Sequence, residues 1–281
     1  KIEAALTKVE EGKLDANYGL VPGTRINEMR YMCDFGPTQF EEVRRAIAYI
    51  VDRDEINKQL TGGYGTVVDC YATDATTDFA AIKDDIESEL IHYSYDLDKA
   101  KECLEAAGYS DTDGDGIVDK DGENLSLTIS ISNGSSTAVS ETLQDMWKQI
   151  GVDVQIEMLE NVSDKRAAGD FDMLVSPNWQ TVNAGDGQKY LMNRWSDGGS
   201  DNYSGYHSDE FQAVLDKLDA AFTQEDRVSA FVEAQQVLAD DAPAIWMYAN
   251  ENVTLVNSKI ENVTVFPIDY YLVTNKWTLA E

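Results

Sequence analysis

Two stretches of this 281-residue chain hold residues whose types and spacing can do chemistry. In DTDGDGIVDKDG, Asp111, Asp113, Asp115 and Asp119 stand at odd spacings around Gly114 and Gly116. Laid onto an oxygen-ligand calcium loop, the first three fill positions one, three and five. Gly116 makes the sharp turn, Ile117 offers a backbone carbonyl and Asp119 falls at position nine. Position twelve, where a bidentate carboxylate would close the loop, is Gly122, with Glu123 one residue late. A Ca2+ ion held this way is expected to bind weakly and to staple the loop rather than react. The rival reading makes the stretch a solvated hairpin connection whose Asp and Gly serve turn chemistry.

The second stretch is SPNWQTVNAGDGQKY, Ser176 to Tyr190. It follows a short apolar strand, Phe171 to Val175, and ligands of open α/β sheets gather beyond the carboxyl ends of strands. Trp179 offers an apolar wall, and Asn178, Gln180, Thr181 and Asn183 offer directional hydrogen bonds. The alternative is that Trp179 packs the domain and the polar residues form an exposed loop. Arg194, a little further on, can pair with an anionic ligand or with a neighbouring Asp, and so acidic a chain favours the Asp. Tyr64 and Tyr71 are weaker candidates for the walls of a cleft.

Other chemistries lack parts. His92 and His207 are the two histidines, too few for the usual zinc sites or triads, and His207 reads as a surface residue. Cys33, Cys70 and Cys103 have no CxxC spacing and imply no disulfide framework. No GxSxG, HExxH or phosphate loop is present. Lys plus Arg number 22 against 52 Asp plus Glu, a net charge of −30 that would be repelled by nucleic acid and anionic lipid. A 43% hydrophobic content excludes a disordered acidic chain, and no apolar run is long enough to span a membrane. The chain begins at Lys1 without Met, which reads as a processed or excised piece.

Helices and strands must position these stretches. One helix is expected from Val43 to about Leu60, closed by Gly62 and Gly63. A second should start at Asp96 and stop at Gly108, with Ala100, Cys103, Leu104 and Ala107 on its inner stripe. Leu125, Leu127, Ile129 and Ile131 alternate with polar residues, as do Val152, Val154, Ile156 and Met158. The helix between them ends at Gly151, so this is a strand–helix–strand unit expected to pair in parallel. Two later helices should turn Phe211, Val214, Leu215, Leu218 and Phe222, then Val228, Phe231, Val232 and Leu238, inward. AIWMYA, VTLV and VTVF read as strands of the tail. The fold class is α/β.

Six segments occur in an order and at separations that together resemble one family. They are VRRAIAYIVDRDEI, YDLDKAKECLEAAGY with its DGDGIVDKDG, QDMWKQIGVDVQIE, GDFDMLV, NYSGYHSDEF and VLADDAPAIWMY. The family is the extracellular solute-binding proteins of bacterial ABC importers, of the peptide, nickel and oligopeptide group. The resemblance implies a type 2 periplasmic-binding lobe, a mixed sheet flanked by helices, truncated because the first lobe is missing. It divides the chain into a partial first-lobe or hinge segment (1–36), a solute-binding lobe (37–250) and a segment returning to the first lobe (251–281).

It further implies a non-enzymatic, monomeric receptor outside the cytoplasm, in the periplasm or on the outer face of the cell membrane, lipid-anchored in the full-length protein. Such a receptor captures a peptide, a peptide-like solute or a metal chelate between two lobes and delivers it to ABC permease subunits. No cofactor would be required; a structural Ca2+ is the separate reading of the Asp-rich loop. Peptide binders of the family carry an Asp three residues after the Trp of this loop. Here that position is Val182, and Asp186 is the available substitute. A secreted, calcium-binding acidic hydrolase of glycosides or other substrates, working with paired carboxylates, is the competing reading. A purely structural surface domain is the third.

Overall fold

The computed structural model describes residues 2–73, 92–133, 137–180, 187–268 and 274–280. In chain order the elements are α1 (Ile2–Glu10), β1 (Ala16–Tyr31), α2 (Glu41–Tyr49), α3 (Arg53–Thr61), β2 (Thr66–Val67), α4 (Leu97–Ala106), β3 (Asp119–Lys120) and β4 (Glu123–Asn124). Next come β5 (Ser126–Ser132), α5 (Ala138–Trp147), β6 (Asp153–Leu159), α6 (Ser163–Ala168) and β7 (Met173–Gln180). The last are α7 (Gln188–Trp195), α8 (Asp209–Asp219), α9 (Gln224–Asp241), β8 (Ala244–Asn257), β9 (Ile260–Glu261) and β10 (Thr278–Leu279).

A six-stranded mixed sheet in the order β2-β8-β1-β7-β5-β6 organises the chain. β5 and β6 pair in parallel across α5, as the alternation predicts, and β7 joins β5 in parallel and β1 antiparallel. Both faces of the sheet are covered. Met29 and Tyr31 of β1 enter a core with Val43, Ile47, Ala100, Leu104, Leu143 and Trp147 from α2, α4 and α5. Ile26 enters the opposite core with Leu191 and Trp195 of α7, Phe211 and Leu218 of α8, and Phe231 and Leu238 of α9. Strand period two delivers this division, since neighbouring side chains point to opposite faces. Trp147 is fully buried and its indole Nε1 donates to Ile47 O at 2.9 Å, fastening α5 to α2.

Several expectations need correction. The helix expected over Val43 to Leu60 is two helices. Ile50 leaves helical geometry with ψ 8°, and Asp52 restarts the chain as an N-cap whose side chain accepts from Glu55 N. Phe222 is 96% exposed instead of inward, because α8 ends at Asp219 and Phe222 lies in the connection to α9. VTVF forms no strand; AIWMYA and VTLV form one continuous strand, β8. The longest strand, β1, runs 16 residues through a segment whose sequence shows no clear alternation. Asp96 caps α4 as expected, Ser208 caps α8, and the three cysteines are free thiols. Among the described residues no helix is long and apolar enough to cross a membrane.

β1 and β8 make an antiparallel ribbon longer than the sheet. Residues 16–22 pair with 251–257 alone, whereas residues 25–31 lie between β8 and β7. The register breaks between Pro22 and Ile26, where the strands are bulged. At that break a side chain on Gly23 would come within 2.4 Å of Asn250 O, so the backbones touch.

Candidate functional site

The end of β7, the bulge of β1 and the start of α7 come together at one end of the sheet. Gln180 pairs with Arg25 and Trp179 with Ile26, so β7 continues through Gln180 instead of opening into a loop after Val175. Asn178, Trp179 and Gln180 therefore belong to a strand, held there by the β1 ladder. Thr181, Asn183 and Asp186 lie outside the described residues. The chain resumes at Gly187, where a side chain would meet the ring of Tyr71 at 3.3 Å and then Phe231. Tyr71 is buried and stacks on Tyr190 of α7, with ring centroids 5.4 Å apart and planes 18° apart. Two residues on, Thr73 Oγ1 donates to Gly23 O at 3.1 Å, which ties this segment to the bulge.

Beneath α7 lies a buried polar cluster. Glu28, on β1, has no solvent exposure, and its carboxylate accepts from the Tyr190 hydroxyl at 2.7 Å and from Arg194 Nη2. The Tyr190 oxygen in turn accepts from Trp246 Nε1 of β8 at 3.1 Å. Burial, then the neighbouring Glu28 charge, pushes the Tyr190 phenol well above its ordinary value, so it stays a donor at neutral pH. One carboxylate thus links α7 to β1, and through Tyr190 to β8. Sequence reasoning gave Arg194 a neighbouring Asp; its partner is a Glu 166 residues away on the central strand. Glu28 and Tyr190 were not singled out in sequence, since a polar residue inside a half-polar strand carries no mark of burial.

The Asp-rich loop is fully described. Oxygens of Asp111, Asp113 and Asp115 lie within 4.8 Å of one another, all three side chains exposed. They also accept backbone hydrogens from within the loop: Asp111 from Gly114 and Gly116, Asp113 from Asp115, and Asp115 from Ile117. Asp119 does not join them. Its buried carboxylate accepts from Thr112 N at 2.8 Å and from the Thr112 hydroxyl, while its backbone bridges Ser110. Gly122 is occupied with geometry of another kind. Asp121 and Gly122, at φ 56° and 80°, form the two-residue turn between β3 and β4. The loop is a calcium-like turn run into a hairpin, and it gathers three of the four expected carboxylates.

Two remaining candidates take structural places. His207 is exposed and bound to Asp197 at 2.9 Å, and that hydrogen bond holds its imidazole above the ordinary value. A surface concavity of 990 Å3 between α8 and α9 is lined by Glu210, Glu225, Val228, Val232, Glu233 and Gln236, none of them on β7 or α7.

With this geometry in hand, comparison with known proteins is informative. Residues 3–202 match the model of the bacterial extracellular solute-binding proteins, family 5. The oligopeptide-binding protein AppA of Bacillus subtilis is 25% identical over 313 residues, covering 99% of this chain and 54% of that protein. The dipeptide-binding protein of Escherichia coli is 24% identical over 256 residues, covering 88% of this chain and 44% of its own length. Among solved structures, AppA in complex with a nonapeptide superposes with a TM-score of 0.80 at 21% identity, covering 98% of this chain and 55% of that one. NikA of Brucella suis, in complex with Fe(III)-EDTA, gives 0.79 at 17% identity, with 98% and 55% covered. The chain thus spans about half the length of the relatives it matches, and these likenesses establish the α/β fold. By its match over residues 3–202, the chain belongs to the bacterial extracellular solute-binding proteins, family 5.

Proposed function

We propose that this chain is the distal lobe, with its joining strands, of the substrate-binding component of an ABC importer. The observation that carries the reading is the β1–β8 ribbon. It leaves the sheet beside the end of β7, and a joint between two lobes needs such a pair of strands there. Residues 16–22 and 251–257 would then lead to and from a first lobe, and residues 25–31 would form the solute-binding lobe together with 37–250. Ligand would lie against Asn178, Trp179 and Gln180 of β7 and against Thr181, Asn183 and Asp186 beyond it.

Named relatives bind oligopeptides, dipeptides, haem and α-galactosides, and structures in complex with Fe(III)-EDTA and Ni(L-His) share the fold. A peptide, a peptide-like solute or a metal chelate is the expected class, with Val182 standing against ordinary amino-terminal capture. The receptor would work as a monomer outside the cytoplasm, in the periplasm or anchored by lipid, pass its ligand to permease subunits and catalyse nothing. The acidic-hydrolase alternative has no support among the relatives.

The test is a thermal-shift screen of the full-length protein with di- to nonapeptides, Ni(II)–histidine and Fe(III)-EDTA. A hit at a hundredfold excess over Kd stabilises by about 2.7 kcal/mol, a shift of several degrees. The isolated chain, holding half the site, should shift far less. No shift with any probe in a well-folded protein would count against this ligand class.

A structural Ca2+ on Asp111, Asp113 and Asp115 is a separate reading, favoured by the gathering of their oxygens. With Asp119 engaged elsewhere, binding should be in the weak range of about 10⁻⁴ to 10⁻³ M. Millimolar Ca2+ should then raise the melting temperature by one or two degrees relative to chelator, and D113N should abolish the rise. Identical melts with Ca2+ and chelator would refute occupancy.

A further inference from the structure

Arg30 is the anomaly of the buried cluster. It follows Glu28 by two residues on the same face of β1 and has no solvent exposure. Its Nη1 donates to Asp201 O at 2.8 Å, but no described protein atom accepts from Nε or Nη2. Buried donors of this kind are rare, because leaving one unpaired forfeits its hydration with no return. A guanidinium is the costliest case, since its charge is buried as well.

The charges around it do not help. Among the described residues Glu28 is the carboxylate that acts on Arg30, and its two oxygens are engaged by Arg194 and Tyr190. Arg194 and Arg166 add like charge. The Arg30 and Arg166 guanidiniums both lie over the Tyr203 ring, 5.7 and 5.3 Å from its centroid, and it offers each a π-face. Burial and the Arg194 charge bring the Arg30 value down to about 9, which still leaves it protonated at neutral pH. One residue past that ring, the Ser204 hydroxyl is also fully buried and without partner, while its carbonyl takes Cys33 N at 2.7 Å.

We infer that Arg30 binds a small monovalent anion, chloride or another halide, through Nε and Nη2 beneath α7, with the Ser204 hydroxyl as an additional donor. A water molecule could accept the same hydrogen bonds, but it would leave Glu28, Arg30 and Arg194 with one positive charge in excess. A halide answers both requirements. It would bond the turn at 201–204 to the central strand on the face where Glu28 already holds α7. The inference rests on the fold and on Arg30, not on the ligand reading above, so either can fail alone.

Crystals of this chain grown in sodium bromide and measured at the bromine edge decide it. An anomalous peak within hydrogen-bond distance of Arg30 Nε and Nη2 is the expected result. Water at that position, or bromide confined to the surface, overturns it. In solution, replacing gluconate with chloride at equal ionic strength should raise the wild-type melting temperature by about 2–4 °C. S204A should reduce that rise and R30M should remove it. If R30M does not fold, the wild-type bromide map stands as the deciding measurement. Equal melting of the wild type in the two salts also counts against the site.

Discussion

Arg194→Met is expected to lower the stability of this chain by about 3–5 kcal/mol, the cost typical of removing one partner from a buried ion pair. Met keeps most of the aliphatic volume of the arginine, so the loss reports charge and hydrogen bonding more than an emptied core. What it leaves behind is Glu28, fully buried and bonded to the Tyr190 hydroxyl alone. Against a total of about 5–15 kcal/mol for an ordinary domain, this is a large fraction. Urea unfolding followed by tryptophan fluorescence measures it directly. The double variant, with Glu28→Gln added, should cost less than the two single losses together, because each single change already breaks the ion pair. A double variant that loses the sum of both single costs would show that the two side chains do not act as a pair.

The surface pairs set the contrast. Arg45 with Glu41 and Lys217 with Glu233 are also close contacts, yet all four groups keep a quarter or more of their side-chain area in solvent. Exposed pairs contribute about 0–1 kcal/mol. The same bond type is thus decisive under α7 and almost neutral on the rim, and burial makes the difference.

Much of the fold was legible because period and punctuation agreed. The β5–α5–β6 unit followed from alternation, a 3.6-residue stripe and Gly151, and the cap at Asp96 marked a true helix start. Where the reading failed, tertiary partners overrode local signals. Ser176, Asn178 and Gln180 look like loop residues, but the β1 ladder holds them in a strand. β1 itself mixes Asn27, Glu28 and Arg30 with apolar residues, and nothing local says that a salt bridge and two cores will bury them. Of the candidate site, the aromatic and polar group around Trp179 reads in sequence as a loop after a strand, whereas Asn178, Trp179 and Gln180 lie in the strand itself. The cluster that fastens α7 was not legible, since Glu28 and Arg194 meet only in three dimensions. In the Asp-rich loop, spacing correctly gathered Asp111, Asp113 and Asp115. It could not reveal that Thr112 takes Asp119, or that Asp121 and Gly122 are committed to a hairpin turn.

The second large effect is expected at the ribbon joint. Gly23→Ala places a methyl group where Asn250 O already stands, 2.4 Å from the ideal Cβ position. Gly23 has no positive φ, so the difficulty is contact, not backbone conformation. A carbonyl in a paired strand cannot rotate away as a side-chain tip can. To admit the methyl, β1 and β8 must separate between the Val21–Asn252 and Ile26–Ala249 pairs, and the Thr73 bond to Gly23 O must move with them. Overpacking of this kind costs about 1–3 kcal/mol. Gly19→Ala is the control on the same ribbon, because its new methyl would meet Val265 Cγ2, a side-chain end in a segment outside the sheet. Its cost should stay below about 1 kcal/mol, consistent with a surface change. Hydrogen exchange should locate the damage, with faster exchange at Ile26 and Asn252 in Gly23→Ala and unchanged exchange in Gly19→Ala. If β1 and β8 carry the closure of the full-length receptor, Gly23→Ala should also weaken its ligand-induced thermal shift. Equal stability losses in the two variants would mean that the close backbone approach at Gly23 does not define the joint.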